Sequence, residues 1–132
     1  MIEIPISYGE FFDKISILQI KQEKITDPDK LLLISVELES LKNLIDPRLS
    51  LKVATLHKSL KIINEELWNV EDKLRIMEKK SSFDFSFIKL ARSVYVLNDQ
   101  RFQLKDAINT LLGSKFREVK QYVKYDTGNK KK

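Results

Sequence analysis

The 132-residue chain contains no cysteine, one histidine, three glycines and three prolines. Without cysteine there is no disulfide scaffold, thiolate zinc site or thiol nucleophile, and the composition fits a reducing compartment. One histidine, His57, excludes a multi-histidine metal centre within one chain. No metal or other cofactor is therefore expected. No apolar run approaches the roughly 20 residues that span a bilayer. The N-terminus lacks the basic-then-apolar order of a signal peptide, so a cytoplasmic location is expected. Gly9, Gly113 and Gly128 stand too far apart for a phosphate-binding loop. His-Glu-x-x-His and Gly-x-Ser-x-Gly are both missing, and a helical di-iron site needs histidines that the chain does not have.

Charge is present but unevenly placed. The formal net charge is +5, yet residues 115–132 hold seven basic and two acidic side chains. Residues 1–114 carry 17 of each and are neutral. The chain reads as one balanced helical domain over residues 1–125 followed by a basic tail, 126–132. Clustered terminal lysines add affinity for nucleic acid without base readout, so the tail supports weak nucleic-acid binding at most.

The hydrophobic pattern is helical nearly throughout. Ile2, Ile4 and Ile6 alternate in a short extended arm that must lie on the helices or pair with something. Ser7 and Glu10 form a capping box for a first helix bearing Phe11, Ile15 and Leu18. Asp27-Pro28 and Asp46-Pro47 are start signals for a second and a third helix. In the third, Leu56, Leu60, Ile63, Leu67, Val70, Leu74 and Met77 step by four and three, with nothing to interrupt the helix from Pro47 to about Lys80. At 1.5 Å per residue that helix spans about 50 Å. The fourth helix carries Leu90, Val94, Leu97, Arg101, Leu104, Ile108 and Leu111 in the same spacing and stops before Gly113. Ser114 then caps a short fifth helix bearing Phe116, Val119 and Val123. The expected fold is all-α: a long antiparallel helical hairpin packed by two shorter N-terminal helices, with coiled-coil seams. The seams outrun the cover that two short helices provide. A homodimer is the simplest way to bury the remainder, with Trp68, Leu60 and Leu67 as candidate interface residues.

Some polar residues break the pattern. Arg101 occupies a core position and needs a carboxylate, with Glu71 or Asp72 on the neighbouring helix as candidates. Glu71 and Arg75 flank the third-helix seam, and Arg92, Tyr95 and Asp99 flank the fourth. Lys14 suits a four-residue salt bridge with Glu10. His57, with no acid or second histidine nearby in sequence, reads as a surface or rim residue.

Several segments together carry a family resemblance. They are Pro5-Ile-Ser-Tyr-Gly9-Glu-Phe-Phe-Asp13-Lys-Ile15, Asn64-Glu-Glu-Leu-Trp68-Asn-Val-Glu71-Asp72-Lys-Leu-Arg75, Phe83-Asp84, Leu90-Ala-Arg92-Ser-Val-Tyr95, Asn98-Asp99-x-Arg101 and Gly113-Ser114. Over residues 2 to about 125 the chain resembles an uncharacterised family of short helical proteins from bacteria and marine phages. Its members are encoded near glycosyltransferase or surface-polysaccharide genes. The resemblance implies an accessory role in that setting, inside the bacterial or phage-infected host, and no defined reaction. It singles out Glu10, Asp13, Lys14, Lys21, Trp68, Glu71, Asp72, Arg75, Arg92, Tyr95, Asp99 and Arg101.

Two functional readings follow. The first is a non-catalytic helical accessory protein that binds itself or another protein. The second is a site for a small anion, such as a sugar phosphate or nucleotide sugar, or a small cofactor-free helical enzyme. That site is lined by Lys14, Glu71, Arg75, Arg92, Tyr95, Asp99 and Arg101, and it requires the arginines to converge on one concavity.

Overall fold

A computed structural model describes residues 1–127. Residues 128–132, most of the basic tail, lie outside the described part. Among the described residues five helices follow one another: α1 (Tyr8–Lys24), α2 (Pro28–Lys42), α3 (Pro47–Lys52), α4 (Ala54–Lys79) and α5 (Phe85–Leu112). Among the described residues there is no strand, so the all-α expectation holds. The start signals operate as chemistry predicts. The Ser7 hydroxyl accepts from Glu10 N at 3.1 Å, Asp27 from Asp29 N at 2.9 Å, Asp46 from Arg48 N at 2.8 Å and Asp84 from Phe87 N at 3.1 Å. Gly113 closes α5 in the left-handed region, φ 69°.

α4 and α5 form the expected antiparallel hairpin, and α1 packs against α2, α4 and α5. The core gathers Phe11, Phe12, Ile15 and Leu18 of α1, Ile34 and Leu38 of α2, Val53, Leu60 and Ile108. Among the described residues no helix is long and apolar enough to cross a membrane.

Three expectations are corrected. The long third helix is broken at Val53 (φ −99°, ψ 5°), which leaves α4 about 39 Å long. Val53, at the break, is fully buried in the core. The short helix after Ser114 does not form, and residues 115–127 have no regular secondary structure. The Ser114 hydroxyl, expected as its cap, instead accepts from Tyr8 N at 2.9 Å and donates to Asn109 Oδ1 at 2.9 Å. Arg117 and Glu118 are drawn onto α5, and a helix this short without a packed face is marginal. The N-terminal arm does not lie on the helices: Ile2 and Ile4 are 89% and 71% exposed.

Candidate functional site

The N-terminal turns of α1 meet the C-terminal half of α5 through polar side chains. On α1, Glu10, Asp13 and Ser16 recur every three residues. On α5, Arg101, Lys105 and Asn109 recur every four. These spacings put each set on one helix face. Gly9 allows the approach: a Cβ there would sit 2.9 Å from Asn109 Oδ1 and closer still to the Lys105 carbonyl oxygen. Gly9 N donates to Asn109 Oδ1 at 2.6 Å, so α5 satisfies the amides that begin α1.

Asp13 is 3% exposed and binds Arg101 bidentately, Nε to Oδ1 at 2.9 Å and Nη2 to Oδ2 at 2.5 Å. Asn64 of α4 donates to Asp13 Oδ1 at 3.0 Å and to Ser16 Oγ at 2.8 Å. Burial alone would raise the Asp13 carboxyl. The hydrogen bonds from Arg101 and Asn64, with the charges of Arg101 and Lys105, outweigh burial and hold it below the usual carboxylate range. The hydrogen bond to Asp13 likewise raises Arg101. Lys105 is buried between Glu10 at 2.5 Å and Glu118 at 3.2 Å.

The strap of residues 115–127 lies over this end of α5. Arg117 binds Asp106 at 2.5 Å and Thr110 at 2.9 Å, and the Tyr125 hydroxyl donates to the Asp99 carboxylate. That carboxylate pushes the Tyr125 phenol up to about 12, so the hydroxyl stays a neutral donor. Tyr125 meets Tyr95 edge-on, with ring centroids 5.1 Å apart. Between strap and helix lies a cleft of about 580 Å³, floored by Ala91, Val94 and Phe102 and walled by tyrosines. Its cations are already committed: Arg101 to Asp13, Lys105 to Glu10 and Glu118, and Lys120 to Glu118 at 2.7 Å.

The expected ligand set is divided by the fold. Tyr95, Asp99 and Arg101 line the cleft. Arg92 reaches the Tyr95 hydroxyl at 3.4 Å but lies in the neighbouring groove. Glu71 and Arg75 are exposed on α4, outside the cleft. Lys14 pairs across to Glu37 of α2 at 3.1 Å, not to Glu10, because Glu10 turns to Lys105. Arg101 is held by Asp13 of α1, not by Glu71 or Asp72. The arginines do not share one concavity. Of the candidate interface residues, Leu60 and Leu67 are buried inside this chain, at 0% and 8% exposure, which removes them from any outer surface. Trp68 is partly exposed. His57 is a rim residue, as expected: it is partly exposed, and its ring packs on Phe12 with centroids 5.2 Å apart. Lys105, Asn109 and Glu118 were missed. The polar stripe at 101, 105 and 109, set against its complement on α1, was the signal that marked the first two.

Among the described residues no cluster of three or more His, Asp or Glu side chains could hold a metal ion. Fold and cleft define a class: an all-α protein with a partly buried ion-pair network at its α1–α5 contact and a charge-compensated cleft under the strap. Within that class, the chain belongs to the family of unknown function DUF6165, whose pattern matches residues 2–128. No curated protein and no solved structure matches the chain.

Proposed function

We propose that this is a helical accessory protein that works by protein–protein association, with residues 1–125 as one domain that pairs with a second copy of itself. The observation that carries the reading is uncovered apolar surface. Among the described residues, 21 large apolar or tyrosine side chains are exposed and only 12 apolar ones are buried. Nine of the 21 lie in the N-terminal arm and the strap, and three lie on the helix α2. Its inner face seats Ile34 and Leu38, while Leu32, Leu33 and Val36 on its outer side are 65%, 73% and 62% exposed. A helix that is apolar on both sides is a buried helix lacking half of its cover.

The family resemblance supports placing this role beside surface-polysaccharide assembly, and the cysteine-free composition supports a cytoplasmic site of action. The sugar-phosphate or nucleotide-sugar reading of the α5 cleft draws less support, because every lining cation there already faces a carboxylate. Light scattering on the eluting protein tests association. A mass of twice 15.5 kDa at micromolar concentration is expected. A strict monomer would overturn the reading.

A further inference from the structure

A second concavity lies on the opposite side of α1, where four helices converge. It measures about 470 Å³. Gln19 of α1, Lys42 from the last turn of α2, Ser50 of α3, and His57, Lys58 and Lys61 of α4 line it. Three lysines face a single lining carboxylate, Glu23. Glu23 is itself taken up by Lys61 at 2.5 Å, and Glu65 approaches the same ammonium at 3.7 Å. Lys42 and Lys58 enter none of the ion pairs among the described residues. This balance is the reverse of that in the α5 cleft.

The floor of the pocket is the first two turns of α4, which begin where α3 ends: Val53 N donates to Leu49 O at 3.2 Å and His57 N to Val53 O at 2.8 Å. The positive field in the pocket is therefore that of its lysine side chains. We propose that this pocket binds a phosphate dianion, either free or as the head of a small phosphorylated molecule. Lys42 and Lys58 supply the charge, and Gln19 and Ser50 supply neutral donors. Ammonium groups with neutral donors around one concavity are a usual chemistry of phosphate recognition. The volume exceeds that of the ion alone and falls within the range of small-ligand clefts.

His57 reports on the same field. Burial lowers its imidazole, and the charges of Lys61 and Lys42 lower it further. Its Nε2 atom is sealed from solvent and has no hydrogen-bond partner. A bound dianion offsets the lysine charges, so it should move the His57 titration upward.

The test is a heteronuclear NMR titration of the full chain with inorganic phosphate at constant ionic strength. The wild type is compared with K42Q/K58Q and with the control K79Q/K80Q, which has the same net charge and changes exposed lysines at the far end of α4. Saturable shifts at Ser50, Ala54 and His57 are expected, with the His57 titration moving up. Affinity should weaken about tenfold or more in K42Q/K58Q and stay within about twofold in the control. A parallel titration with glycerol phosphate assigns the source. Tighter binding of the ester supports an organic phosphate as ligand, and equal binding supports the free ion. Non-saturating shifts, or equal losses in both variants, would overturn the site. Because both variants leave α2's outer face intact, this outcome is independent of whether the protein dimerises.

Discussion

Asp13 is the side chain on which the α1–α5 contact turns. It is a buried carboxylate, and its removal strands Arg101. Asp13→Asn and Arg101→Met should each destabilise the fold by about 3–5 kcal/mol, because each leaves the other partner uncompensated. The double variant should lose less than the sum, and urea unfolding of the four proteins measures this. Gly9→Ala places a methyl against the Lys105 carbonyl, and a cost of about 1–3 kcal/mol is expected in the same assay. Acid sensitivity has two windows. The folded-state value of His57 lies below 6.5, so the unfolded chain takes up a proton first as pH falls. Stability therefore drops below about pH 6.5 and levels off beneath the folded value. His57→Phe should flatten that step in thermal melts recorded from pH 7.5 to 5. The folded-state value of Asp13 lies below 3.8, so its contribution is present above that pH and is lost only as pH falls through the folded value.

At the scale of elements, the strap is an addition to α5, not a part of the core. Its ties are ion pairs and a tyrosine hydrogen bond at partly exposed positions, and exposed ion pairs contribute little individually. Truncation after Ser114 should keep far-UV helicity in α1 to α5 unchanged and lower stability by about 1–2 kcal/mol. A loss of helix elsewhere would show that the strap holds the bundle together. Helix starts were legible in the sequence because Ser7, Asp27-Pro28 and Asp46-Pro47 cap locally. The α4–α5 hairpin was legible because its seams repeat over many turns. The break at Val53 was not, since no proline or glycine marks it in the sequence. Arg101 was legible as an anomaly but its partner was not. Periodicity reports which face a residue occupies, and it is silent on which helix, α1 or α4, meets that face. The missing helix after Gly113 shows the same limit: Ser114 has cap chemistry, and tertiary contact directed that chemistry to Tyr8.

For the whole molecule, the decisive quantity is the surface left uncovered. Five helices bury one small core and leave α2's outer side, the isoleucine arm and the hairpin tip at Phe83, Phe85 and Ile88 facing water. A standard interface removes about 800 Å² from each partner, an area that a helix face and its neighbouring side chains can supply. Sedimentation equilibrium of the wild type beside L33E/V36E tests this most directly. The expected result is a micromolar dimer for the wild type and a monomer of unchanged helicity for the variant. A wild-type monomer, or a variant that dimerises equally well, would contradict the claim that α2's outer face is where this protein meets its partner.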